Sequence, residues 1–225
     1  MILSYAEQSE ITGLVNRLLD NFGNCISAMT GEDGVELRHQ IGDMRAFYFQ
    51  YLNDGTFSTR LLNCFTLARK DNVPLTSLTL IRLALFQEAP VCDVANAIVQ
   101  QTIIFCLAAE SRMITAIEFT SRDDVDAMIG VMKMAFDNAR DILADAVDSV
   151  LYQTMIYLGG ALINHLAMIG RPLPRMVSFS MPISMPALAL SQRIYYDASR
   201  WEELVLENKT VHPAFVQREI RGLSQ

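Results

Sequence analysis

Of the seven prolines in this 225-residue chain, five fall after Gly170 and only Pro74 and Pro90 before it. Proline removes a backbone donor and clashes with the preceding helical turn, so a stretch nearly free of it can be helical throughout. The distribution predicts two units: a helical bundle body over residues 1–170, and a shorter mixed unit over 171–225 opened by Gly170-Arg171-Pro172-Leu173-Pro174. Charge divides at the same place. There are 11 basic and 20 acidic residues before Arg171 and 7 basic and 5 acidic from it on, a net of −9 against +2, so the two units carry opposite surface biases.

Within the body, apolar residues recur at three-and-four spacing, which stacks them on one helical face. Ile11, Val15, Leu18, Leu19, Phe22 and Ile26 predict a first helix, and Leu37, Ile41, Met44, Phe47, Tyr48 and Tyr51 a second, separated by Thr30-Gly31-Glu32-Asp33-Gly34. Asn53-Asp54-Gly55 interrupts the second, and Phe57 to Leu67 resumes helix. Val73-Pro74 marks a boundary because the residue before proline is pushed out of the helical basin, and Pro90 predicts a kink or break. Val94 to Leu107 is apolar nearly all round, which suits a helix at the centre of a bundle. Ser121 then caps a helix whose first turn carries Asp123, Asp124 and Asp126, matching the positive end of the helix dipole. Met128, Met132, Ala135, Ala139, Ile142 and Ala146 continue it, and the pattern predicts a run almost to Gly170 with a bend at Gly159-Gly160.

Composition narrows the class. With 51% hydrophobic residues, 12 Met and a net charge of −7, the chain reads as globular, and as apolar enough to cover surface against partners. Only Lys70, Lys133 and Lys209 are lysines; the arginines that make up the other basic residues suit interfacial ion pairs. The acidic balance argues against a direct nucleic-acid partner. Cys25, Cys64, Cys92 and Cys106 each stand in an apolar run with no paired spacing, as buried thiols of a reducing compartment do. Glu7 and Glu10 interrupt the amino terminus, which lacks the pattern of a signal peptide. Val150 to Gly170 holds no Asp, Glu, Lys or Arg and has the length of a bilayer span, but Gln153, Asn164, His165 and the Gly159-Gly160 pair favour a helix buried in a protein bundle, with no membrane span.

The tail reads strand, helix, helix, strand. Val177, Phe179 and Met181 alternate with serines, and Pro186 opens a helix whose apolar face is Leu188, Leu190, Ile194 and Tyr195. Ser199 is expected to cap a second helix, with Trp201, Leu204 and Val205 inward and Glu202 at the capping-box position. Asn208 ends that helix, and Ile220 to Leu223 closes the sheet. The expected fold class is therefore mainly α: a long-helix bundle followed by a small α+β domain.

The stretch IYYDASRWEELVLENKTVHPAFV, with its aromatic helix end, Ser199, Trp201, Leu204, Asn208 and Pro213, resembles a LysM (lysin motif) domain. A longer stretch is similar to the carboxy-terminal part of the baseplate protein historically called the DNA-circularisation protein in Mu-like contractile-tailed bacteriophages. The residues that carry this are Leu173-Pro174-Arg175, Pro186-Ala187-Leu188, Asn208 and His212-Pro213, with the Ser121-Arg122-Asp123 helix start upstream. The resemblance covers residues from about Thr115 to Gln225; the β-rich amino-terminal domain of that family is not matched. It implies a structural component of a phage tail baseplate, located in the virion and assembled in the host cytoplasm. Implied partners are hub, wedge and tail-tube or sheath-initiating proteins, with multiple copies around the tail axis in three- or six-fold symmetry.

A second reading, peptidoglycan binding, follows from the LysM resemblance and would use the loops Met181 to Met185 and Asn208 to Phe215. Pro182-Ile183-Ser184-Met185 makes the first of these loops apolar, better matched to a protein surface than to N-acetylglucosamine chains. No nucleophile elbow, phosphate loop, zinc spacing or dinucleotide fingerprint occurs, so no enzyme, metal or cofactor is expected. His39 reads as solvated, His165 as a hydrogen-bonded core group and His212 as a turn residue. The candidate docking residues are Tyr195, Tyr196, Trp201 and Phe215, each open to a core-filling role as well, and the charges Arg193, Arg200 and Arg218.

Overall fold

A computed structural model describes residues 3–25, 31–70, 73–144 and 149–224. Among the described residues the chain is mainly helical, with nine α-helices, one 3-10 turn and a two-stranded antiparallel sheet. It divides into two compact units. The chain up to Ile117 joins Val131–Ile163 in one, and Glu118–Gly130 joins the chain from Asn164 on in the other. The division thus differs from a single cut at Gly170.

In the first unit, α1 (Tyr5–Cys25) buries Ile11, Val15, Leu18, Leu19 and Phe22 on one face. Ile26, expected on the same face, lies outside the described residues. Helix α2 (Glu32–Asn53) buries Leu37, Ile41 and Met44. The expected face weakens beyond Met44: Phe47 is half exposed, while Tyr48 shares a hydrogen bond with Thr12 and Tyr51 lies under the Arg60 guanidinium. Gly55 turns the chain with φ of 70°, a conformation glycine adopts without strain, into α3 (Phe57–Lys70). Pro74 caps α4 (Leu75–Leu85), and Pro90 marks a break rather than a kink. Helix α5 (Asp93–Ile114) starts after it and packs against α1, α3 and α4. Its buried residues lie on every side, as a central helix requires, and each fully buried Leu, Ile or Phe is worth about 1.5–3 kcal/mol relative to exposure. By length and composition α5 is apolar enough to cross a membrane; two thirds of that window lies buried inside the protein.

The run expected from Ser121 to Gly170 is two helices, α6 (Arg122–Leu143) and α7 (Ser149–Gly170), and each contributes to both units. Met132, Ala135, Phe136, Ala139 and Leu143 are buried along α6, while Ala146 lies outside the described residues. Helix α7 passes unbroken through Gly159-Gly160. Gly159 serves close approach instead: a Cβ there would stand 3.1 Å from the Phe136 ring. Nor is α7 buried all round. Met155, Gly159, Leu162, Leu166 and Gly170 form one buried stripe, and the opposite side exposes Tyr157, Asn164, His165 and Met168. The expected core role of His165 is therefore corrected: it falls on the wet side of a helix that buries one face only.

In the second unit, β1 (Met176–Ser180) pairs with β2 (Glu219–Leu223), with Phe179 opposite Ile220. Between them run α8 (Ala187–Tyr195), a 3-10 turn (Ala198–Arg200) and α9 (Trp201–Glu207). Ala187, Leu190, Tyr195, Leu204, Val216 and Ile220 form the core, with Phe179, Met181, Ile194, Trp201 and Val205 packed against it. Leu188, expected inward, is exposed because Ala187 takes the buried position of that first turn. The expected Ser199 cap is also corrected. Asp197 is the capping residue, its carboxylate accepting from the Ser199 N–H at 2.9 Å and the Ser199 hydroxyl at 2.7 Å. Glu202 makes no capping box, since the 3-10 turn occupies the position where the helix was expected to start.

Candidate functional site

The residues singled out from sequence all fall in the second unit, and the structure sorts them by environment. Tyr195 is a core residue. Its hydroxyl donates to Glu203 Oε1 at 3.1 Å, its ring lies 3.8 Å beneath the Arg200 guanidinium, and a Cβ at Gly222 would run into it. Burial, reinforced by the neighbouring Glu203 carboxylate, pushes its phenol up to about 12. Arg200 is correspondingly committed within the unit, donating to both Glu203 oxygens at 2.8 and 2.9 Å, so neither residue is free to face a partner. Trp201 is partly buried against the core, its packing role.

Tyr196 is the opposite case. It ends α8 in the left-handed region with φ of 58° and is 84% exposed. A non-glycine residue held there is uncommon, and here it turns the aromatic ring outward. Phe215 is 73% exposed, with its ring centroid 5.9 Å from that of His212. Arg193 and Arg218 are exposed as well, Arg193 reaching Met185 Sδ at 4.0 Å.

The two loops expected to border a glycan groove are joined. Val216 donates to Met185 O at 3.1 Å, Ser184 Oγ to Val216 O at 2.6 Å and Ala187 N to Pro213 O at 2.7 Å. His212 closes its own turn by accepting from Ala214 N at 3.1 Å. Around this junction four apolar side chains stay open to solvent: Ile183, Leu188, Val211 and Phe215, each within three residues of one of those bonds. Hydrogen bonding thus holds the two loops that carry these exposed residues side by side.

On the outer face of the sheet lies a groove of about 680 Å³, where Ser178, Ser180, Gln217, Glu219 and Arg221 meet the end of α9 at Asn208. Glu207 stands at its edge with a carboxyl raised by burial and by the nearby Asp124 and Glu203 charges. Asn208 is the residue whose role sequence reasoning missed. It was expected to end α9, which it does, but its side chain also accepts from Arg221 N at 2.7 Å and donates to Arg221 O at 2.7 Å and Leu204 O at 2.8 Å. The amide stands in for a strand residue beside β2. Lys209, next in sequence, takes a positive φ of 47°.

The acidic start of α6 also acts structurally. Ser121 Oγ accepts from Asp124 N at 3.1 Å, Asp123 Oδ2 accepts from Met176 N at 2.5 Å, and Arg122 N donates to Pro174 O at 2.9 Å. Among the described residues no group of three His, Cys, Asp or Glu is arranged to hold a metal ion. Cys64, Cys92 and Cys106 are buried in the first unit, and burial pushes the Cys64 thiol up to about 12, far from a nucleophilic thiolate. Searched against protein-family models the chain matches none, and no curated protein matches it.

Proposed function

We propose that the chain is a non-enzymatic structural component of a contractile bacteriophage tail baseplate, in which the second unit is a LysM-like docking module and the helical body a spacer. The observation that carries the docking role is the exposure of Ile183, Leu188, Val211 and Phe215 on the two joined loops, with Arg193 beside Met185. Exposed apolar groups with an arginine nearby are what the core of a protein interface draws on. The resemblance of residues from about Thr115 on to the Mu-like baseplate family supplies the setting. On this reading the partners are hub, wedge and tube or sheath-initiating proteins, and the chain surrounds the tail axis in three- or six-fold copies.

The test is cryo-electron microscopy of tails purified from the source cells, with the Phe215→Asp variant alongside. The expected result is density for the chain at the baseplate, lost in the variant while its circular dichroism is unchanged. Tails that lack the chain, or a folded variant incorporated at full occupancy, overturn the reading.

One observation favours a second reading, N-acetylglucosamine-chain binding: the groove of Ser178, Ser180, Asn208 and Gln217 is open and polar. It lies on the sheet rather than between the two joined loops. Titrating the full chain with chitin oligomers decides it, saturable binding that is lost in Gln217→Ala being the supporting result.

A further inference from the structure

The sheet has two edges, and they are finished differently. Ser224 N donates to Arg175 O and Met181 N to Arg218 O, each at 2.7 Å, so residues 175, 177, 179 and 181 of the first strand direct their backbone groups at the second. Residues 176, 178 and 180 direct theirs outward. On the second strand the outward groups of Arg221 are taken by the Asn208 amide, which blocks that edge. On β1 the outward N–H of Met176 is taken by Asp123. The outward groups of Ser178 and Ser180 have no partner among the described residues. Proteins usually guard such an edge with Lys, Pro or a bulge; here it carries two small serines that let another backbone approach.

We propose that β1 pairs antiparallel with β1 of a second copy of this chain, about a two-fold axis at Phe179, to make a four-stranded sheet. The free groups are self-complementary in that register: Ser178 of one copy exchanges both hydrogen bonds with Ser180 of the other, and the Met176 positions already capped by Asp123 fall outside the ladder. At low ionic strength, where the Debye length reaches ~30 Å, charge favours the same register. Ser178 stands opposite Arg221 and Ser180 opposite Glu219 in each copy. With the axis at Phe179, each row across the outer face runs from Arg221 over two serines to Glu219 of the second copy, opposite charges three strand spacings, ~14 Å, apart. An axis at Ser178 would instead end its central row in two arginines and would set Met176, already capped, opposite Ser180. On the inner face the two Phe179 rings become neighbours, and the partly exposed Val177 lies opposite Met181 of the second copy. The pairing stands independently of the baseplate reading.

Sedimentation velocity on the full chain tests it. The expected result is a concentration-dependent monomer–dimer equilibrium. Ser178→Pro removes only an outward N–H, which edge strands tolerate, and is expected to raise the dimer dissociation constant roughly tenfold to hundredfold with circular dichroism unchanged. Should that variant fail to fold, surface charge decides. At an ionic strength of ~0.01 M, where the Debye length is ~30 Å, Arg221→Glu is expected to weaken the dimer, and the swap Arg221→Glu with Glu219→Arg to restore it. Oxidised Phe179→Cys copies are expected to join through residue 179, located by peptide mapping, because a pair on the two-fold without hydrogen bonds stands ~4.5 Å apart; Val177→Cys copies are not. A chain that stays monomeric at high micromolar concentration, a folded Ser178→Pro that dimerises as the parent does, or a charge swap that restores nothing overturns the proposal.

Discussion

The two units solve the same problem by different means. The first is held by the faces of long helices, and the deeply buried ion pair of Arg82 with Glu110 at 2.9 Å, with Thr79 also on the carboxylate, lies inside that packing. The second centres on a cluster of six buried residues and closes it with side chains that bind backbone: Asn208 on Arg221, Ser184 on Val216, Ser191 on Asp197 and Asp197 on Ser199. A small unit buries too small a fraction of its surface to rely on apolar burial alone, so directional bonds fix its strands and turns. Single substitutions should therefore act differently in the two. Trp201 is the chain's one tryptophan and lies in the second unit, so its fluorescence follows that unit while helical circular dichroism follows mainly the first.

The largest effect is expected in the first unit. Glu110→Ala leaves the Arg82 guanidinium buried without its carboxylate and should cost about 3–5 kcal/mol in urea unfolding followed by circular dichroism. Replacing both residues by apolar ones (Arg82→Met with Glu110→Leu) should recover most of it. Failure of the double replacement to do so would break the view that the first unit rests on packing.

Next comes the clasp. Asn208→Ala removes three hydrogen bonds and reopens the edge at Arg221, and should cost about 2 kcal/mol, seen as an earlier Trp201 fluorescence transition. An equal shift of the circular-dichroism transition would show that the two units do not differ in the way described.

Smaller still is Tyr195→Phe, which loses the bond to Glu203 at a cost of about 1 kcal/mol and should move the same fluorescence transition. The pH dependence sharpens this. The Tyr195 phenol is raised from the ordinary 10 to about 12 in the folded protein, so its contribution is complete below 10 and is lost as pH rises toward 12. Absorbance titration of tyrosinate should show one phenol ionising late, missing in Tyr195→Phe. The smallest effect is at Asp197, whose carboxyl is lowered by its bonds to Ser199. Its contribution is present above the usual carboxylate range and fades as pH falls through it, and Asp197→Asn should flatten that acid limb of the fluorescence transition.

Much of the fold was legible in the sequence because burial follows periodicity. Ile11 to Phe22, the all-round apolar Val94 to Leu107 and the alternating Val177, Phe179 and Met181 all name their elements. What was not legible had two causes. Absence of charge does not mean burial: Val150 to Gly170 reads as a core helix, yet Gly, Ala, Asn and His together with a few large apolar residues line its exposed side. Polar clasps depend on strand register, which no local pattern records. Asn208 announces a helix end, whereas its bond to Arg221 exists only because β2 returns beside it thirteen residues later. Of the candidate residues, Tyr196, Phe215, Arg193 and Arg218 are exposed, while Tyr195 and Arg200 turn toward each other; an aromatic at a helix end gives no sign of which way it will face.

The interleaving of the two units has a consequence for the order in which the chain can be made. Glu118–Gly130 emerges from the ribosome before the strand and helices it belongs with, and all of Val131–Ile163, which belongs to the other unit, must follow before Asn164 appears. At about 5–20 residues per second that is a wait of a few seconds. During that interval Asp123 has no Met176 N–H to accept from and Val125 no Gly170 to lie against, so the α6 amino terminus is made in advance of its own surroundings.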